Sequence, residues 1–577
     1  MAQTNVTELL DFTGGINNVV APHLLPMNEA LDLTNVDITY GSLKSMTELE
    51  KGKAAQGSHF VEYRDTLYFY NDWRANALLD NKLYWTNGIS QGKILPDGTQ
   101  LPLGIITPNG KAIVSASGSS GSGVHKGDFK YTYTFYSSTT GIESAPAPLP
   151  PYVTADNQDI LLSGFDTIPS NADMYRIYRV GGYLARFTLV ATIKSTDLPY
   201  LDSLDDTEVD GRILQTLRTG VPNPNIRNFI ELNGRLYGSV GSKVYYSGLG
   251  APDSWYTDDF FTMPNIVVAL GKSSAGILVF GKTYTYLLYG NSPQTFKVQI
   301  ISDSLGCISA ESIAYYNDSC IFLGVDGIYA ISGVSIQNIT SNKIRNISGL
   351  NISSAAVANN VYYLAYKPTI YASNDIVPSN TLYPGGTKGT ANNTSSQGIL
   401  AIDFRHGNGY SYNIYSYDAT LSIGVSRGLL HTVQYLPNLP IVCNATIYCT
   451  DVFCLGDYTL MPLVPTTTAV FKKLRYNSPQ LIDGSYSTLK EYDKVRINFI
   501  GSFNVKVIFS NKDVVIDVDI VSSKYVNTNG ELYTAKDEVV TLGIPNNNNK
   551  SYSIMFIIEG KGIIKSIQYS WKTRELP

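Results

Sequence analysis

Histidine is the side chain best suited to proton transfer near neutral pH, and the chain has five: His23, His59, His125, His406 and His431. They are far apart and share no spacing, so the sequence assembles no base or metal ligand set from them. His406-Gly-Asn-Gly reads as a turn. Asp202, Asp205, Asp206, Glu208 and Asp210 form an acidic run. A calcium loop needs a fixed alternation of ligands around a central glycine; this run lacks it and reads as a solvated acidic edge. Ser117-Gly-Ser-Ser-Gly-Ser-Gly123 has the look of a phosphate cradle but lacks the preceding strand, the following helix and the lysine. It reads as a flexible loop or linker. Asp326-Gly327 has neither the Ser nor the Trp neighbours of a sugar-hydrolase box and reads as a hairpin turn. Cys443, Cys449 and Cys454 are spaced by six and five, which fits no zinc pattern. With Cys307 and Cys320 they make an odd set, expected to be free thiols from a reducing cytoplasm. No nucleophile elbow, zinc-protease helix or P-loop is present. The expectation is no catalytic, cofactor-binding or metal site, and no enzyme.

The elements that would position any site are strands. Of 577 residues only 16% are charged, against about 25% in ordinary domains. Tyr numbers 42 beside 20 Phe and 4 Trp, and the composition suits strands and turns rather than helices. Aromatic rows such as Tyr131, Tyr133 and Phe135, or Tyr284, Tyr286 and Tyr289, suit a core, and in part subunit interfaces. No apolar run is long enough to span a membrane. Met1 to Asp11 has neither basic nor apolar signal regions, so no secretion signal is expected. A formal charge of −5 disfavours a general DNA-gripping surface.

The chain divides into an N-terminal arm (1–56), a first blade region (57–107), an insertion (108–216), further blades (217–464) and a C-terminal β-sandwich (465–577). The arm holds the best helix candidate, Asn28 to Asn35 after Pro26. From residue 57, hairpins such as His59 to Tyr70 and Phe229 to Val240 recur about every 40 residues, the period of β-propeller blades. Asn233-Gly234 is a type I′ turn signal. The alternative is an irregular array of β-sandwiches. The insertion has strands at Asp128–Tyr136, Tyr175–Arg179 and Phe187–Ile193, which suits an immunoglobulin- or fibronectin-like sandwich. Val495–Ile500, Asn504–Phe509, Tyr552–Ile558 and Ile563–Trp571 read as four strands of the last domain. Asn374 to Gln397 reads as a long surface loop. The fold class is all-β.

Two segments carry a family resemblance. Phe12-Thr-Gly14-Gly15-Ile16, then Ala30-Leu31 through Asn35-Val36, then Gly41-Ser-Leu43-Lys44 resembles the start of tail nozzle proteins of short-tailed bacteriophages, also called tail tubular protein B or packaged-DNA stabilisation proteins. Tyr131-Thr-Tyr133, Gly141-Ile-Glu143-Ser144-Ala145-Pro146 and Tyr175-Arg-Ile-Tyr178-Arg179 are similar to the fibronectin-like insertion common in them. The C-terminal domain matches no part of that pattern. The resemblance implies a non-enzymatic structural protein of the virion tail, made in the host cytoplasm. It implies a homohexameric ring below the portal adaptor, with tail fibres, a needle or a plug nearby. Genomic DNA would be retained by the ring and ejected through its lumen, without sequence-specific binding. Six copies at −5 each would carry roughly −30, which lets phosphate slide rather than stick. Two other readings stay open: a carbohydrate-binding or carbohydrate-hydrolysing propeller, and a trimeric fibre-attachment or receptor-binding tail component.

Overall fold

The structure, a computed structural model, describes residues 4–46, 50–51, 59–215, 219–340, 343–344, 351–367, 398–405, 411–416, 420–426, 429–435, 452–454, 472–522 and 538–573, less 71, 73, 359, 486 and 511–512. The Asn374–Gln397 loop, the His406 turn, Cys443 and Cys449 lie outside these residues. The protein is all-β. Its helical pieces, among the described residues, are 3₁₀ turns of three residues such as Pro22–Leu24.

Four four-stranded antiparallel meanders follow the chain at Ala75–Pro102, Arg227–Thr262, Ala269–Ser302 and Ala314–Asn338. A fifth, at Asn351–Ser416, has the same order within a larger sheet. A sixth combines Thr420–Ser426, Leu429–Tyr435 and Val452–Cys454 with Glu50–Lys51 from the N-terminal arm. The hairpin His59–Tyr70 adds a two-stranded member. Their neighbours run in a circle: Ala75–Leu79 meets Arg227–Leu232, which meets Ala269–Ser273, and the contacts continue through the fourth, fifth and sixth sheets to His59–Tyr63. That circle is the β-propeller arrangement. Tight turns make the meanders possible. Arg64-Asp65 and Asn233-Gly234 both have two successive positive φ angles, as a type I′ turn requires. A small sheet cannot bury both faces alone, so adjacent sheets share apolar clusters. Phe280 against Phe322, with ring centroids 4.6 Å apart, is one such contact between the third and fourth.

Between the first and second four-stranded sheets the chain leaves to form a six-stranded insertion, from Ile113–Ser117 to Tyr200–Asp202. The first half of Val153–Ser163 pairs with His125–Tyr136, and its second half with Ile113–Ser117 and Tyr200–Asp202. One strand thus joins two layers around a core containing Phe129, Tyr131, Tyr133, Phe135, Tyr175 and Ile177. A buried ion pair, Lys93 Nζ to Asp253 Oδ1 at 2.6 Å, clamps the base of the insertion, and the same oxygen accepts from the Gly104 amide.

One sequence expectation is overturned. The helix expected over Asn28 to Asn35 is extended: Glu29–Ala30 pairs in parallel with Gly15–Ile16, and Asp32–Thr34 pairs with Leu474–Asn477. Sheet pairing and burial of Ala30, Leu33 and Val36 in the largest core outweigh the local cap. The segment from 465 onwards is hydrogen-bonded to the rest of the chain. Its strands belong to one 14-stranded sheet that continues through Asp32–Thr34 into the fifth propeller sheet. Its four expected strands are two, Lys490–Phe509 and Ile554–Thr573, paired along their length.

The Phe12 to Ile16 lead is part of this core. Phe12 packs edge-on against Tyr476 with centroids 5.4 Å apart. A Cβ on Gly14 would fall 2.6 Å from the Asn28 carbonyl oxygen, so only glycine fits that approach.

Candidate functional site

The first strands of successive propeller sheets converge on a cavity of about 530 Å³. Small and apolar residues from several strands form its floor, including Ala75, Ala77, Ile230, Leu270, Ala355 and Ala356. Polar groups come one or two per strand: His59 and Tyr70 from the hairpin, Arg74 just before Ala75–Leu79, Glu231, Lys272 and Tyr315. Alanines line it from Ala75–Leu79 and Asn351–Ala358, and the first strands of the second, third and fourth sheets each bring a larger polar side chain, Glu231, Lys272 and Tyr315.

The Arg74 guanidinium lies over two rings, with Cζ 3.7 Å from the centroids of both Tyr70 and Trp85. Its Nε donates to Asp72 Oδ1 at 3.2 Å, and Asp72 also accepts from the Asn87 side-chain amide. Across the cavity, Lys272 Nζ donates to Glu231 Oε2 at 2.9 Å. The Lys272 backbone amide donates to the Tyr315 hydroxyl at 3.0 Å. Glu231 Oε1 accepts from the amide of Gly234 in the I′ turn. Burial pushes the Tyr70 phenol up to about 12, against the opposing pull of the Arg74 charge, so it is a neutral donor across the ordinary pH range. Among the described lining residues Glu231 is the one carboxylate, and a cation already holds it.

A second polar centre lies inside the insertion. Arg179 and Asp202 are both fully buried and paired at 2.7 Å. Asp202 also accepts from the Tyr131 hydroxyl at 2.7 Å, with His125 Nε2 3.6 Å from the same oxygen. Arg179 Nη2 reaches Asp206 at 2.7 Å, and Nη1 reaches the Leu204 carbonyl at 3.0 Å. Burial alone would raise the Asp202 carboxyl. The His125 hydrogen bond, the Arg179 charge and the Tyr131 hydroxyl together hold it below the usual carboxylate value. The acidic run is therefore not a uniformly solvated edge: Asp202 is core, and the need to neutralise Arg179 draws it there.

The other singled-out residues fall in structural places. Ser117 ends a strand and residues 118–123 form the turn after it. Asp326 and Gly327 lie in the tight turn between Ser319–Leu323 and Ile328–Ser332, where Asp326 accepts from the Tyr329 hydroxyl. Cys307 and Cys320 are buried free thiols. Tyr131, Tyr133, Phe135 and Tyr286 are buried, whereas Tyr289 is exposed. Among the described residues, no group of three or more His, Cys, Asp or Glu is placed to hold a metal ion. No helix among them is long and apolar enough to cross a membrane.

Sequence reading named His59 only as an isolated histidine and passed over Arg74, Glu231, Lys272 and Tyr315. A signal was present. Glu231 and Lys272 each interrupt an otherwise apolar or small first strand, Phe229-Ile-Glu-Leu and Ala269-Leu-Gly-Lys. Superposing the blades on their period would have aligned them.

Site and fold together define an all-β propeller with an inserted two-layer domain and a polar axial cavity. No family model matches the chain, and no curated protein matches it. Among solved structures, S. cerevisiae Dbp5 bound to Nup159, Gle1, IP6 and ADP shares 9% identity at TM-score 0.24, over 66% of this chain and 80% of that one. Pyrococcus horikoshii acylaminoacyl peptidase shares 9% at 0.25, over 71% and 58%. Apo AztD from Citrobacter koseri shares 10% at 0.22, over 73% and 99%. At these scores none of the three bears on function.

Proposed function

We propose that this chain is a structural subunit of a ring-shaped tail nozzle of a short-tailed bacteriophage, which retains the packaged genome and forms its exit channel. The observation that carries the reading is architectural. A two-layer insertion leaves the propeller between its first two four-stranded sheets, where the resemblance expects a fibronectin-like domain. The Phe12–Ile16 lead and the Gly41–Lys44 turn support it from the N-terminal side. An axial cavity of about 530 Å³ is far too small for a duplex. In this reading DNA therefore passes between copies, through the middle of a hexameric ring, and not along the axis of any one propeller. The portal adaptor, the fibres and the needle or plug would contact the outer ends of that ring.

A glycosidase of the usual kind needs two carboxylates flanking the scissile bond. Glu231, bound by Lys272, has no carboxylate partner among the described lining residues. That disfavours the sugar-hydrolase alternative at this cavity.

Electron microscopy of virions labelled with antibody against this chain tests the proposal. A sixfold ring at the tail is the expected result. Label on a threefold spike, or no particle-bound label beside a soluble monomer that binds glycans, would overturn it.

A further inference from the structure

We propose that the axial cavity is a binding site for a small oxyanion-bearing molecule, a carboxylate or a phosphate, with Arg74 as its recognition fork. Guanidinium recognises such groups through two parallel N–H donors in one plane, and the gain is greatest when that plane is already fixed. Arg74 meets both conditions. Tyr70 and Trp85 hold it between their rings, and Asp72 holds Nε, which sets its rotation. Among the described residues no carboxylate or carbonyl accepts from its Nη1 or Nη2. Its side chain is 16% exposed, so it is reachable but largely shielded from water.

A second, independent observation lies beside it. Tyr70 lines the same cavity and is 6% exposed, and its hydroxyl is a buried polar atom with no hydrogen-bond partner of good geometry. Leaving such a group unpaired costs about 1–3 kcal/mol, and an oxyanion on Arg74 gives it an acceptor. The opposite wall adds a third donor. Tyr315 accepts from the Lys272 amide and retains its own proton to give. Lys272 is answered by Glu231, and Arg74 is answered by Asp72 through Nε alone, which leaves its Nη groups for a ligand. A volume of about 530 Å³ lies within the ordinary range for small-molecule sites. The inference does not depend on the nozzle reading, because it rests on one propeller alone.

The test uses the full chain in a chloride buffer at fixed ionic strength. Inorganic phosphate and succinate are titrated separately by calorimetry, with thermal unfolding followed in parallel. Saturable binding of phosphate alone assigns a phosphate ligand, and of succinate alone a carboxylate; either supports the site. Arg74→Lys keeps the charge but loses the fork, and should weaken binding about tenfold or more. Tyr70→Phe keeps the ring stack and removes one donor. It should weaken binding several-fold while leaving the unliganded unfolding temperature unchanged or higher, because it removes an unpaired buried hydroxyl. No saturable binding of either probe, or equal affinity in the wild type and both variants, would overturn the proposal.

Discussion

Arg179 shows what a single buried charge demands of its surroundings. Taking a guanidinium out of water is costly unless charges and hydrogen bonds replace the solvent. Here Asp202, Asp206 and the Leu204 carbonyl do so, and they tie Met174–Gly181 to Tyr200–Asp202 and the loop beyond it. Removing one partner strands the other. Asp202→Asn should therefore cost about 3–5 kcal/mol near neutral pH. Hydrogen exchange read at the amides of Met174–Gly181 measures it, and unchanged protection would refute the argument. The pH dependence has a definite sign. The folded-state pKa of Asp202 is depressed, so its stabilising contribution is fully present above the unfolded value of about 3.9. It is lost as pH falls through the lower folded value, and there the wild type and Asp202→Asn should converge.

At the scale of elements, the C-terminal hairpin depends on two glycines. Lys490–Phe509 and Ile554–Thr573 run past each other for their whole length, with Gly501 opposite Gly562. Their φ angles are 124° and 140°. A Cβ on Gly562 would fall 2.0 Å from the Ile500 carbonyl oxygen, and one on Gly501 2.2 Å from that of Lys561. In the sequence these glycines look like ends of strands, and in the structure they let two strands continue through a close crossing. Gly562→Ala should destabilise the hairpin by about 1–3 kcal/mol and speed tryptic cleavage at Lys561 and Lys565. Gly543→Ala is the control, because a Cβ there meets nothing within 4 Å. Equal cleavage rates in the two variants would contradict the crossing argument.

For the whole molecule, the N-terminal arm acts as a fastener. Glu50–Lys51 completes the sixth propeller sheet, Asp32–Thr34 bridges the fifth sheet to Leu474–Asn477, and Asn5–Leu9 covers one edge of Ile554–Thr573. Removing residues 1–56 would uncover strand edges at Val452–Cys454 and Ile567–Trp571 together with the apolar surface of the largest core. Exposed edges pair with other chains. The truncated protein should therefore elute as aggregate in size-exclusion chromatography, with its near-ultraviolet dichroism lost. A soluble monomer with native dichroism would show that the circle closes without the arm.

The sequence by itself determined the class of structure and its rhythm. Strand-forming composition, the Asn233-Gly234 turn and alternating rows such as Tyr131, Tyr133 and Phe135 are local properties, and local rules read them correctly. Pairings between distant segments were decided only in three dimensions. Asn28 to Asn35 carries a helix signal but is drawn into strands by partners near 15 and 475. Asp202 reads as one acid among several until Arg179, buried behind it, requires a counter-charge. Arg74 has no motif at all: its stack on Tyr70 and Trp85 exists because hairpin and first sheet meet at the propeller axis. Hydrogen-bond partners and desolvation depend on neighbours remote in the chain, and these decided where polar groups could be placed.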